Sequence, residues 1–248
     1  MDPLFNLQNV TKAYGSARAL DDVTMSVLPH QVVGIIGPNG AGKTTLIKIV
    51  LGLLGGWRGS IQVFGTDYHT DPLKIKRELG YVPEVVAPPG QLRVQEYLQY
   101  MAALHNVPAA TAEQSWNEYA EQLAFDIDPR AFVGTLSKGN RQKLVIVASI
   151  LHRPRLWVLD EPISGLDPTG IIFFKKMIRD YARNTGAVLI STHILSFVEG
   201  LCDRVFVLLD GRIVGDRMLN TCAERAHVPT AIESYYNEIT ASQSRLLR

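Results

Sequence analysis

Val32-Val33-Gly34-Ile35-Ile36-Gly37-Pro38-Asn39-Gly40-Ala41-Gly42-Lys43-Thr44-Thr45 is the stretch on which the reading of this chain turns. Val32–Ile36 is a short run rich in β-branched residues that ends in glycine, as a buried strand does. Thr44–Leu54 carries apolar Leu46, Ile47, Ile49, Val50, Leu53 and Leu54, which predicts a helix ended by Gly55-Gly56. Between them, Gly37 to Thr44 matches the phosphate-loop pattern in its required strand–loop–helix setting. Glycines let backbone wrap closely around phosphates in conformations closed to other residues. The loop amides and the helix start then aim partial positive charge at the anion. Lys43 supplies a point charge for the β- and γ-phosphates, and the Thr44 hydroxyl suits magnesium. Gly37, Pro38, Asn39, Gly40, Ala41, Gly42, Lys43, Thr44 and Thr45 are therefore the expected contacts to ATP and magnesium, with hydrolysis as the expected chemistry.

Working outward, Leu4–Val10 and Ser60–Phe64 have strand character, a turn follows at Gly65-Thr66-Asp67, and Gly80-Tyr81-Val82 is a short strand. From about Pro88 to Ser149 strand signals vanish. Helical periodicity takes over around Val94–His105, Ala112–Leu123 and Lys138–Leu151, which predicts a helical subdomain inserted into a sheet-based core. Strand patterns return at Leu156–Leu159, Ala187–Ser191 and Val205–Leu209, with helical stretches Thr169–Asn184 and Ile194–Leu201 between them. Such alternation predicts an α/β fold with a mostly parallel sheet and helices on both faces. One domain over residues 1–220, with a helical subdomain at about 88–150, is expected. A tail over 221–248 carries two weak helical stretches separated by Pro229.

The 248 residues are 46% hydrophobic and 20% charged, enough for a substantial core. A net charge of +1 gives no global basic field to gather nucleic acid. Cys202 and Cys222 lack metal-type spacing and are too few for a disulfide framework, so plain thiols are expected. Met1–Asn6 shows no basic region followed by an apolar core, so no signal peptide is expected. No apolar stretch reaches the ~18 residues a spanning helix needs. Work at a membrane would require another chain to hold this one there.

Leu156-Trp157-Val158-Leu159-Asp160-Glu161-Pro162 places two carboxylates at the end of an apolar strand, where parallel α/β folds bind ligands. Asp160 there suits magnesium held through water, and Glu161 suits a general base or orienter for the attacking water. Taken alone, the pair reads rather as an N-cap acid opening the next segment. Beside a phosphate loop the catalytic reading prevails.

Several separate motifs, in order from about Leu4 to Gly215, resemble the nucleotide-binding subunits of ATP-binding-cassette (ABC) transporters. The discriminating one is Leu136-Ser137-Lys138-Gly139-Asn140-Arg141-Gln142-Lys143, which resembles the family's Leu-Ser-Gly-Gly-Gln signature. The resemblance implies a P-loop NTPase core with an N-terminal antiparallel β portion. It also implies that Ser137, Lys138, Gly139 and Asn140 act on the γ-phosphate held by an opposite subunit. Lys138 and Asn140 depart from the usual Gly and Gln. Ser164-Gly165-Leu166-Asp167 resembles the loop crossing the dimer interface, His193 the switch histidine, and Tyr14 the aromatic that stacks on adenine. By themselves a histidine after a strand and a tyrosine in a turn are ordinary structural features. Glu84 stands where the family usually presents glutamine to magnesium and water, and a carboxylate is at least as good a magnesium ligand.

Two ATP molecules sandwiched in a dimer are what the resemblance implies, with a second cassette subunit, identical or related. Membrane permease subunits are the further partners, and the chain would sit on the cytoplasmic face of the membrane. Val85-Val86-Ala87-Pro88-Pro89, with Tyr97 nearby, reads either as a docking wall for the permease or as a buried connection. Glu84 and Lys138-Gly139-Asn140 resemble the exporter branch. An importer subunit and a soluble cassette ATPase are the competing readings, the second disfavoured by a single cassette without extended heptads.

Overall fold

The computed structural model describes residues 2–219 and 231–246. The chain divides into two compact units, Met1–Lys76 with Leu189–Arg248, and Arg77–Val188. The first opens with strands β1 (Phe5–Tyr14), β2 (Ala17–Val27) and β3 (Val32–Ile36), then helix α1 (Lys43–Val50), strands β4 (Arg58–Val63) and β5 (Thr66–Asp67), and helix α2 (Pro72–Arg77) at the border. The second contains β6 (Leu79–Val82), helices α3 (Val94–Leu104), α4 (Ala109–Gln122) and α5 (Lys138–Ala148), strand β7 (Leu156–Asp160) and helix α6 (Pro168–Asn184). Strand β8 (Ala187–Thr192) returns the chain to the first unit, where α7 (Leu195–Val198), β9 (Arg204–Leu209), β10 (Arg212–Met218) and α8 (Ala231–Leu246) follow.

In the first unit an antiparallel sheet runs β2-β1-β4-β5, the N-terminal β portion that the motifs imply. A second sheet runs β10-β9-β3-β8, with β3 parallel to β9 and β10 antiparallel to it. Every residue of β3 and of β8 is buried, which is why both read as unbroken apolar runs. Strand β2 is absent from the sequence-based reading because its alternation is broken. Asn9 at φ 53° and Asp22 at φ 56° mark two bulges, so the register slips between Leu7 and Val10 and again between Leu20 and Val23. The Asn9 side chain donates to Asp22 at 2.8 Å, and the Thr11 hydroxyl accepts the Asp22 amide at 3.0 Å. Strand β10 also went unpredicted, although Asp210-Gly211, both at positive φ, is a strong two-residue hairpin signal.

Helix α1 ends at Val50 rather than Leu54. Gly52, at φ 61°, donates to Ile49, and Leu53 donates to Lys48, the paired bonds of a Schellman stop. Helix α7 likewise stops short of Leu201. Cys202 is buried. Within the tail Ala231–Leu246 is one helix; residues 220–230, with Cys222 and Pro229, lie outside the described residues.

The second unit carries the helices expected in the middle of the chain. Helix α5 is apolar on nearly all sides from Leu144 to Ala148 and is buried accordingly. Helix α6 buries Phe174, Met177, Ile178, Tyr181 and Ala182, a single stripe at helical spacing. Phe174 and Tyr181 pack against Trp157 of β7, whose indole donates to Ser149 at 2.9 Å. Strands β6 and β7 pair in parallel.

Ahead of β6, two histidines hold the backbone. His152 donates through Nε2 to the Leu79 carbonyl at 3.1 Å, and His105 bonds the backbone of Arg77. Their rings stack with centroids 3.6 Å apart. Burial first, and the neighbouring His105 second, push His152 down to about 4. The unfolded chain, titrating near 6.5, then binds more protons than the folded chain between those values. Stability is therefore complete above about pH 6.5 and is lost as pH falls toward about 4, by up to ~3 kcal/mol. Urea midpoints across that range should fall less steeply for His152→Gln than for the wild type; equal slopes would contradict the assignment.

Candidate functional site

In the first unit, β3 delivers the chain into the loop after Ile36, and the loop feeds α1. Only glycine fits at two of its corners. A Cβ on Gly37 would collide with the Leu208 carbonyl, and one on Gly42, at φ 106°, would lie 2.5 Å from the Ala19 carbonyl. Pro38, Asn39 and Gly40 form the exposed tip. Lys43 is 6% exposed, and its ammonium donates to the carbonyls of Gly37 at 2.8 Å and Pro38 at 3.1 Å. The loop thereby curls around its own lysine. Gly42 caps α1 without a side-chain bond, and the first turn has no acidic residue, so its amides face an anion without a competing carboxylate. Thr44 and Thr45, half-buried, begin the helix. The arrangement suits a polyphosphate.

Two more predicted residues lie in the same unit. Tyr14 ends β1 with half its surface exposed. His193 leaves β8, the sheet neighbour of β3, directly after buried Thr192 and is itself exposed.

Glu84, Asp160, Glu161 and the stretch Ser137–Asn140 all belong to the second unit. Val82 pairs with Leu159, so β6 and β7 end together, and Pro83-Glu84 and Asp160-Glu161 emerge side by side. Asp160 is 1% exposed and Glu161 9%. Burial, with the negative charges of Asp160 and Glu84 added, pushes the Tyr81 hydroxyl up to about 12. That end of the strands thus holds a negative potential suited to a cation. Glu161 adopts φ 46°, a left-handed conformation that a non-glycine residue holds only at some cost.

Ser137 caps α5 by accepting the Asn140 amide at 3.2 Å. No acidic residue occupies the first turn of this helix either. A Cβ on Gly139 would lie 2.8 Å from the Gly165 carbonyl, so glycine is required where the helix start meets the Ser164–Asp167 loop. Lys138, which replaces the usual glycine, lays its stem along Gly165 and donates to Ser164 at 3.2 Å. Gln142, buried on the otherwise apolar inner face of α5, donates to the Pro162 carbonyl at 2.8 Å. It ties the start of α5 to the segment after Glu161. Gln142 falls within the signature-like motif but has no role of its own at the level of sequence, because its partner lies 20 residues further along the chain.

Comparison with known proteins agrees with this picture. The family model described as ABC transporter matches residues 20–164. The chain belongs to the ABC transporter family. It is similar to the ABC-type transporter ATP-binding protein EcsA of Bacillus subtilis, 30% identical over 238 residues that cover 96% of each chain. It is also similar to the bacitracin transport ATP-binding protein BcrA of Bacillus licheniformis, 33% identical over 215 residues, 86% of this chain and 69% of that one. A solved structure described as the ATP-binding subunit of an ABC transporter superposes with a TM-score of 0.86 at 30% identity, covering 96% of this chain and 99% of that one.

This ABC transporter ATP-binding subunit therefore binds and hydrolyses ATP. No helix among its described residues is long and apolar enough to cross a membrane.

Proposed function

We propose that this subunit powers export through a separate membrane subunit, closing on ATP against a second cassette and reopening on hydrolysis. The observation that supports closure is that one chain carries two helix starts, at α1 and α5, with no acidic residue in the first turn, as suits anion binding. One grips the chain's own nucleotide. The other, with Ser137 and Gly139, serves the nucleotide of the opposite subunit. A second copy of this chain suffices, because each copy carries both halves of the composite site. ATP supplies the γ-phosphate that bridges the halves, and ADP does not.

Within this scheme Lys43 and the loop amides take the phosphates. Tyr14 stacks on adenine, Glu161 polarises the attacking water, and His193 senses the γ-phosphate. Thr44, Asp160 and Glu84 are the residues that would hold magnesium, an all-oxygen donor set that suits this ion. When bound, magnesium neutralises developing charge on the phosphate oxygens. Replacing Glu84 with glutamine should keep hydrolysis within about tenfold, ~1.4 kcal/mol in the barrier. A loss of several orders of magnitude in steady-state phosphate release would show that the carboxylate has a role of its own.

A groove of roughly 210 Å³ in the second unit, lined by Tyr81, Pro83, Val86, Pro88, Pro89 and Tyr97, supports docking of the membrane subunit beside Glu84. Proline stiffness and the 77% exposed Val85, next in sequence to Val86 of the lining, favour a preformed apolar seat. The subunit is thereby held peripherally at the cytoplasmic face of the membrane. Glu84 and the Lys138-Gly139-Asn140 signature support export over import, and BcrA's name, which speaks of bacitracin transport, supports a transport role. Inside-out vesicles holding this chain with its co-purified membrane chain decide the direction. ATP should drive the cargo that stimulates hydrolysis into the vesicle lumen; ATP-driven loss from the lumen would show import.

A further inference from the structure

Lys12 occupies an unusual position for a lysine. It lies on β1 two residues before Tyr14, on the same face of the strand, and is 9% exposed whereas Tyr14 is 51% exposed. Its ammonium donates to the carbonyls of Gly55 at 2.7 Å and Gly56 at 3.2 Å. The same nitrogen sits 5.1 Å from the centre of the Tyr14 ring. An ammonium has three donors. Two are spent on carbonyls, and the charge lies over the ring face, a cation–π contact partly withdrawn from water.

We propose that Lys12 is a positioning residue for the nucleobase. It braces the Tyr14 ring from one side so that the other side receives adenine. This rests on the reading of Tyr14 as the stacking aromatic. Two consequences follow from the geometry. A cation behind the ring draws electron density from it, which favours stacking by an electron-rich purine on the opposite face. Gly55 and Gly56 lie just past the end of α1, the helix that starts at Lys43. Lys12 thus ties the base-stacking ring to the segment that leaves the far end of α1, and so helps set the spacing between base and triphosphate. A purely structural lysine, clamping Gly55-Gly56 to β1, would affect both ends of the nucleotide alike.

Calorimetric titration of the full chain with ATP and with inorganic tripolyphosphate separates the two. Lys12→Met should weaken ATP binding about fivefold while leaving tripolyphosphate within about twofold of wild type. Lys12→Arg, which keeps the charge, should retain near-wild-type affinity for both. In a Tyr14→Ala background, Lys12→Met should cause no further loss of ATP affinity. Equal losses for ATP and tripolyphosphate in Lys12→Met, or an undiminished Lys12→Met effect in the Tyr14→Ala background, would overturn the inference while sparing the stacking reading. Wild-type ATP affinity in Tyr14→Ala alone would overturn the stacking reading, and the inference with it.

Discussion

Lys43→Ala should bind ATP about a hundredfold more weakly than the wild type, as measured by calorimetry. The side chain is almost fully buried in the loop, and its ammonium is already desolvated and held by the Gly37 and Pro38 carbonyls. A nucleotide therefore meets a charge in place, without the entropy of ordering a free lysine. Removing it should take away the proposed charge-assisted hydrogen bonds to the phosphates, and leaves the Gly37 and Pro38 carbonyls without this donor. The loss should be similar for ATP and for tripolyphosphate, in contrast to Lys12→Met. Unchanged ATP affinity would contradict the phosphate-cradle assignment.

Glu161→Gln should lower turnover about a thousandfold and leave ATP affinity within about twofold. The amide keeps the size of the carboxylate, and glutamine takes the φ of 46° no worse than glutamate. What it lacks is the charge to polarise water. Glu161 remains 9% exposed at the mouth of β7, whereas Asp160 beside it is sealed at 1%, which suits Glu161 to meeting water and Asp160 to an ion. Full residual hydrolysis in this variant would remove Glu161 from the mechanism.

The local motifs were the legible part of this molecule. A phosphate loop needs glycine at corners that other backbone or side chains crowd, and Gly37 and Gly42 stand at such corners. Strands β3, β7 and β8 were readable because burial on both faces makes them unbroken apolar runs. Paired irregularities hid β2, since the Asn9 and Asp22 bulges shift which residues face the core. The end of α1 was misplaced because Gly52, not Gly55, takes the left-handed turn. Contacts between residues far apart in sequence were not legible at all. Gln142 meets Pro162, His105 stacks on His152, and Lys12 reaches Gly55 only because the fold brings them together.

Sedimentation of Glu161→Gln in magnesium with ATP, against the same sample with ADP, tests the central claim most directly. One chain weighs 27.5 kDa. The γ-phosphate clamp predicts that ATP alone converts this species to one of twice the mass, and that changing Ser137 to a bulky residue prevents the conversion. A mass that stays at one chain with ATP, or doubles equally with ADP, would contradict it.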